Sequence, residues 1–241
     1  VEFGGPVWTS SDALQVKEIP ESLLVVGGGY VGLEVGTIYS ALGSRVTLVE
    51  VEDRVMPAAD EDLVKPVGRR IRELLHGVHT GCSVDEMEVE EDEVKVFFKG
   101  DDPPEDGAFD RVLVAIGREP STRDMGLEDA GVEINEDGCV AVDRERRTSV
   151  DSILAVGDVV GGPFLAHKAL QEGRVAAEVV AGEPAAFDAR AIPAVMFTEP
   201  EVAWCGLTEK EAREEGREIQ VARFPWQASG RAMTMGNGEG F

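Results

Sequence analysis

The chain has 241 residues, enough to bury a substantial core in one or two domains. Asp and Glu number 47 against 23 Lys and Arg, for a formal charge of −24, and with no basic face to neutralise phosphates a nucleic-acid partner is excluded. Hydrophobic and aromatic fractions of 43% and 6% fit a soluble globular protein, and no apolar run approaches membrane-spanning length, so no membrane partner is expected.

Only six basic residues are Lys, at positions 17, 65, 95, 99, 168 and 210. High acid with scarce lysine resembles proteins of salt-loving organisms, where molar salt screens self-repulsion to within about 3 Å. The start, VEFGGPVW, has neither an initiator Met nor a signal-peptide pattern, and the end, GNGEGF, resembles a loop cut short. A piece of a longer polypeptide is expected.

Leu23 to Glu50 reads as one phosphate-binding unit, LLVVGGGYVGLEVGTIYSALGSRVTLVE. A short apolar strand meets three glycines, a helix-period segment follows, and a second apolar strand ends on Glu50. Gly27 allows the sharp turn, Gly29 lets backbone approach a pyrophosphate, and Gly32 lets the helix pack closely on the sheet. The helix start offers N–H groups and a positive dipole end to phosphates. Glu50 lies 18 residues beyond Gly32, where a carboxylate can accept hydrogen bonds from an adenosine ribose and would repel a 2′-phosphate. NAD is the expected dinucleotide.

After a loop with Pro57, Leu63, Val67, Ile71 and Leu74 repeat at helical spacing over Asp60 to Leu75, with acids at the favourable N-terminal end. Val78 opens an extended segment, and Val84 to Phe98 alternates as in antiparallel strands with one wet face. Asp110 to Ile116 returns as a buried strand. The composition changes at Glu119 to Arg123, a crossover into a second unit with a hairpin around Ile134 to Val142 and a strand Ile153 to Val156 ending on Gly157-Asp158. Leu165 to Ala181 reads as a helix. A third unit begins near Ile192, with a β-like Ala194 to Phe197, a helix Thr208 to Glu215 started by a Thr208/Glu211 capping box, and a strand Ile219 to Phe224.

Cys82, Cys139 and Cys205 show no CxxC or CxxxxC spacing and are expected as isolated buried thiols in a reducing cytosol, which makes the localisation cytoplasmic. His76 and His79 lack any completing ligand set, so no metal is expected. Asp158, at a strand end, can bind a ribitol or ribose hydroxyl or can cap the next turn. The N–H groups of Leu165, Ala166 and His167 open a helix and could stabilise an anionic flavin edge.

GGGYVGLEVG with Glu50, VAIGREP, ILAVGDV, LAHKALQEG, IPAVMFTEPEVAWCGLTEKEA and FP…GRA, in this order and spacing, resemble the FAD-dependent pyridine nucleotide–disulfide oxidoreductases, and within them the branch that oxidises dihydrolipoamide. The resemblance covers essentially the whole chain. It implies an α/β fold: a Rossmann-like NAD domain with an antiparallel β excursion over residues 1–119, the returning half of an FAD domain over 120–190, and the beginning of an α+β dimer-interface domain over 191–241. NAD and FAD are the implied cofactors, the lipoyl domain of a 2-oxoacid dehydrogenase complex the implied substrate carrier, and a homodimer the implied assembly.

Carried over by position, Gly27, Gly28, Gly29, Tyr30, Val31, Gly32, Leu33 and Glu34 would hold the NAD pyrophosphate, with Glu50 on the ribose. Val84 would approach the adenine side, and Gly117 the nicotinamide end. Asp158 would bind the flavin ribityl chain, and Phe164, Leu165, Ala166 and His167 would line the isoalloxazine. Glu34 resembles an acid that pairs with a lysine near the flavin, a lysine this chain does not contain. Tyr30 stands where relatives carry a gating aromatic or a small aliphatic residue, and both gating and plain packing stay open for it.

The departures bear on activity. The family's first FAD fingerprint with its redox-active CxxxxC would lie upstream, and its catalytic HxxxxE downstream. No catalytic residue is expected among these residues. Glutathione and mercuric reductases normally prefer NADPH, which Glu50 disfavours. A dinucleotide-binding module without catalysis remains the alternative outside the enzyme class.

Overall fold

The structure, a computed structural model, describes residues 3–236 and 238–241. Val1 and Glu2 of the expected 1–119 domain, and Asn237 of the expected 191–241 domain, lie outside the described residues. The chain divides into two compact units, Val1–Gly117 with Val195–Phe241, and Arg118–Ala194.

The first unit is built on a parallel sheet. Its strands are β1 (Val7–Trp8), β2 (Ser22–Val26), β3 (Arg45–Glu50), β4 (Gly77–Thr80) and β8 (Arg111–Val114), in the order β1-β8-β2-β3-β4. The β2–β3 register pairs Leu24 with Thr47 and Val26 with Val49. Central β2 is a continuous apolar run because both of its faces are covered, and Leu23, Leu24 and Val25 are wholly buried. Leu23 and Val25 face helices α2 (Tyr30–Leu42) and α3 (Glu61–Leu74), meeting Leu33, Tyr39, Val67 and Ile71. Leu24 faces the other way, with Val112 and Val49, onto Val94 and Val96 of the antiparallel sheet. Each such aliphatic side chain contributes about 1.5–3 kcal/mol by leaving water.

The antiparallel sheet runs β5 (Cys82–Val89), β6 (Val94–Gly100) and β7 (Gly107–Phe109), with a bulge between Val84 and Glu86. Short α1 (Ser10–Leu14) carries a Thr9/Asp12 capping box, and its Ala13 carbonyl accepts a hydrogen bond from the Tyr39 hydroxyl at 2.7 Å. Helix α2 stops at Gly43, whose φ of +108° makes it a left-handed cap.

Beyond the second unit the chain adds a two-stranded sheet, β9 (Pro193–Met196) and β10 (Val202–Cys205), then α5 (Glu209–Glu214) and α6 (Gly230–Thr234). The Thr208/Glu211 capping box forms as the spacing implies. Ile219 to Phe224, however, forms no strand. Its alternating apolar side chains, Ile219, Val221 and Phe224, are exposed, and no neighbouring strand accepts its backbone. Cys205 is exposed, which corrects the expectation of three buried thiols. Cys82 and Cys139 are buried, and all three are free.

The second unit holds α4 (Ala166–Val180), preceded by a 3-10 turn at Gly157–Val160. Its expected strand Ile153 to Val156 is reduced to an isolated bridge between Leu154 and Arg147, and the expected hairpin to a bridge between Ile134 and Val140. An apolar run becomes a strand only where adjacent backbone completes the ladder, and here Leu154 meets a single residue. No helix among the described residues is long and apolar enough to cross a membrane.

Candidate functional site

The glycine turn sits at the carboxyl end of β2, where the strand order reverses between β2 with β3 and β8 with β1. In open parallel sheets this is the crevice in which ligands bind. Gly27 follows Val26 directly and adopts φ +112°, with its N–H donating to Val49 O at 2.9 Å. A Cβ at Gly27 would lie 2.5 Å from Ala115 O, so the turn is wedged against the segment leaving β8. A Cβ at Gly32 would overlap the Gly27 carbonyl, because the first turn of α2 rests on it. Gly29 behaves differently. It is the N-cap of α2, supplies no side-chain cap, and faces open space where a Cβ would stand. The first-turn N–H groups of a helix have no intrahelical partner, and with the helix dipole they suit an anion at this opening.

Glu50 closes the other side. Its carboxylate is buried, with Oε2 accepting the Gly28 N–H at 2.5 Å and Oε1 accepting the Glu52 N–H at 2.9 Å. The acid therefore fixes the turn as well as facing its mouth. A carboxylate has about four acceptor sites, so two backbone bonds leave capacity for a sugar hydroxyl. The Met56 N–H donates to Gly28 O at 3.0 Å, tying in the loop after β3.

Val84 lies on β5 just before its bulge, half-buried in the second apolar cluster. Gly117, with φ +145°, lies beyond β8, and open space surrounds the position of its missing Cβ. Ala115 N donates to Val26 O at 2.8 Å, so the segment before Gly117 leaves the sheet beside the glycine turn. Tyr30 and Val31 open α2 and pack against the main core at partial exposure, and Leu33 is wholly buried in it. Leu33 thus serves the packing of α2 and not its open end.

Glu34 has a partner that sequence reasoning missed. Its Oε1 accepts the Phe197 backbone N–H at 2.8 Å, across 163 positions of chain. Backbone N–H groups carry no residue signature, so nothing in the sequence flags this bond.

In the second unit Asp158 sits in the 3-10 turn with its side chain half exposed, 3.7 Å from the Arg118 guanidinium. Leu165 is the N-cap of α4, and no side chain caps that end. The Leu165 N–H is already committed to Pro163 O at 2.9 Å, which leaves the Ala166 and His167 N–H groups at the open helix start. Phe164 and Leu165 are partly exposed, Ala166 and His167 exposed. His167 Nε2 is 2.7 Å from Pro193 O, and because a carbonyl only accepts, Nε2 carries the proton. An exposed carboxylate next to an uncapped helix start suits a ligand with hydroxyls at one end and an electron-rich edge at the other.

Below Asp158 lies a second feature the sequence reading passed over. Lys168 and Glu172 are buried on one face of α4 and joined at 3.2 Å, and Arg146 reaches Glu172 at 3.0 Å. The signal was available in LAHKALQEG, where opposite charges stand four apart among small apolar residues. Arg146 had none.

Residues 1–173 match the family described as "Pyridine nucleotide-disulphide oxidoreductase", and residues 192–241 match its dimerisation domain. A dihydrolipoyl dehydrogenase of Vibrio parahaemolyticus is 50% identical over 228 residues, 94% of this chain and 48% of the relative. One from Halobacterium salinarum is 45% identical over 243 residues, covering 100% of this chain and 51% of the relative. Among solved structures, the HOCl-induced flavoprotein disulfide reductase RclA from Escherichia coli is similar with a TM-score of 0.85 at 32% identity, over 98% of this chain and 54% of that one. The chain spans about half the length of the curated relatives it matches.

Proposed function

The chain belongs to the pyridine nucleotide-disulphide oxidoreductase family, and from that premise we propose that it is the pyridine-nucleotide and returning flavin portion of an NAD-linked, FAD-containing dihydrolipoamide dehydrogenase. The observation that carries the reading is the Glu50 carboxylate, hydrogen-bonded to Gly28 at the mouth of a glycine turn that opens a helix. We assign residues 1–119 to NAD, 120–190 to the returning half of the FAD domain, and 191–241 to the start of the dimer interface.

Bound FAD and NAD would supply the two-electron chemistry between a dithiol and the nicotinamide. The chain's own contribution is binding and alignment. Gly27 to Glu34 would cradle the pyrophosphate, with Tyr30 and Val31 in the first turn of α2 and Leu33 anchoring that helix. Glu50 would accept from the ribose hydroxyls and repel a 2′-phosphate. Val84 would face the adenine side, and Gly117 would bring bare backbone to the nicotinamide end.

Asp158 would accept from the ribityl hydroxyls. Phe164, Leu165, Ala166 and His167 would line the isoalloxazine, with the α4 dipole favouring negative charge at its edge. His167, holding its Nε2 proton on Pro193 O, is an oriented lining residue and not a proton shuttle. We assign no catalytic residue to this chain. The free Cys82, Cys139 and Cys205 are not a dithiol pair, and the reactive disulfide and general base would come from the rest of a longer protein. A cytoplasmic homodimer acting on a lipoyl domain completes the proposal.

The test uses the full-length protein. A flavin absorption band that bleaches with NADH, and lipoamide reduction driven by NADH, are expected. Absence of the band, or turnover with NADPH and not NADH, sinks the reading.

A further inference from the structure

We infer that Glu172, Lys168 and Arg146 form a buried clamp on the backbone of Gly157 that sets the direction of the Asp158 carboxylate, which makes them positioning residues for the polyol ligand of Asp158. The inference rests on the reading of Asp158 as a flavin ligand.

The side chains of Glu172, Lys168 and Arg146 are 1%, 4% and 12% exposed. Burying charge carries a desolvation penalty, and well-packed apolar residues of similar volume usually serve stability as well or better. What an apolar set cannot do is hold both polar groups of one peptide residue. Glu172 Oε2 accepts the Gly157 N–H at 2.7 Å, and Lys168 Nζ donates to Gly157 O at 3.2 Å. Lys168 also donates to the same Glu172 oxygen at 3.2 Å, and Arg146 Nη1 donates to its other oxygen, Oε1, at 3.0 Å. Gly157 is thus gripped from both sides of its Cα, in a left-handed conformation of φ +83° with Ala169 3.3 Å from where a Cβ would stand.

The clamp has a braced outer end. Arg146 itself has φ +65°, a conformation uncommon for a side-chain-bearing residue, and its O accepts the Ala155 N–H at 3.1 Å. Its guanidinium stacks 4.9 Å over the Phe187 ring, while its buried Nε has no partner among the described residues. A structure retains such an arrangement where it fixes geometry. Asp158 follows Gly157 directly in the 3-10 turn, and its side chain is half exposed, toward Arg118.

The experiment compares Lys168→Met, Glu172→Gln and Asp158→Asn in the full-length protein, with FAD as the probe. Amide hydrogen exchange over Gly157–Val160 reads the backbone directly, and titration of apoprotein reads FAD affinity. For Lys168→Met, faster exchange in that turn and roughly tenfold weaker FAD binding are expected, the loss of about one hydrogen bond to a charged group. NADH affinity should be unchanged, and Lys168→Arg should restore part of the loss. If Lys168→Met fails to fold, Glu172→Gln, which keeps an acceptor for the Gly157 N–H, makes the same comparison. Unchanged exchange and FAD affinity in the clamp variants, beside a loss in Asp158→Asn, overturn the clamp alone. Undiminished FAD binding by Asp158→Asn, or none by the wild type, overturns the flavin reading and with it the clamp's ligand.

Discussion

The backbone N–H of Gly28 donates to Glu50 Oε2 at 2.5 Å, so the acid at the end of β3 and the glycine turn after β2 are one hydrogen-bonded unit. Glu50 therefore has two jobs with separable signatures: holding the turn and meeting the ribose. Glu50→Gln keeps an acceptor for Gly28 and loses the charge, whereas Glu50→Ala loses both. Calorimetric titration should give NADH affinity falling by about tenfold or more in Glu50→Ala and less in Glu50→Gln. NADPH should lose less than NADH in both, because repulsion of a 2′-phosphate is relieved. Equal losses for the two nucleotides would leave Glu50 with the structural job only.

The glycines of the turn are predicted to separate in the same way. A Cβ at Gly27 or Gly32 meets backbone that cannot move aside, so Gly27→Ala and Gly32→Ala should destabilise the first unit by about 1–3 kcal/mol or more. Gly29→Ala meets nothing within 4 Å and should melt within about 0.5 kcal/mol of the parent. Its effect should appear in NADH affinity. A Gly29→Ala protein that melts early but binds NADH normally would reverse the assignment.

Stability is expected to fall on the alkaline side. Burial pushes the Cys82 thiol above its ordinary value, with the charges of Asp102 and Glu50 adding to it against a hydrogen bond from the Glu50 backbone. Burial, then the charge of Glu18, pushes the Tyr39 hydroxyl up as well. Both groups hold their protons longer folded than unfolded, so the stability they contribute is complete below the unfolded values of about 8.5 and 10. It is lost as pH rises through the folded values. Melting temperature should be level near neutrality and decline through about pH 9 to 11, with Cys82→Ala delaying the onset. In native protein, maleimide should label exposed Cys205 first.

Salt should stabilise this chain. Arg223 bridges Asp62 at 2.6 Å and Glu209 at 3.1 Å, and Asp60 accepts the Glu209 N–H at 3.0 Å through both oxygens. These contacts form on a chain of formal charge −24, where unpaired acid dominates. Raising KCl from about 0.1 M to 1 M shortens the screening length from about 10 Å to 3 Å. Repulsion should weaken more than the few pairs do, and the melting temperature should climb. Arg223→Ala should matter at low salt and fade at high salt. A melting temperature independent of KCl would remove the link between composition and saline conditions.

The parallel sheet, its two covering helices and the glycine turn were legible because their signals are local. Leu23 to Val26, Gly27 to Gly32 and Val46 to Glu50 each declare themselves within a few residues. The antiparallel excursion around Val84 to Phe98 was legible by alternation. Alternation misled at Ile219 to Phe224, where the apolar positions lie exposed and no strand pairs with them. Leu154 failed for the same reason, since a strand is a relation between segments. The Glu34–Phe197 bond and the Arg146–Glu172 pair were beyond reach because one partner in each is unremarkable in type and distant in sequence.

Glu34 holding Phe197 also dictates an order of events during synthesis. The first unit is discontinuous: residues 118–194 emerge from the ribosome between its two parts. The helix carrying Glu34 is therefore complete long before Phe197, Glu209 and Arg223 exist to meet Glu34, Asp60 and Asp62. Contacts of such sequence separation form slowly, and until they do Glu34 on α2 and the acidic start of α3 wait without these partners. The early portion must hold together on its own sheet: Leu24 packs among residues of that portion only, whereas the cluster around Leu23 and Val25 gains Met196 and Val202 once they emerge.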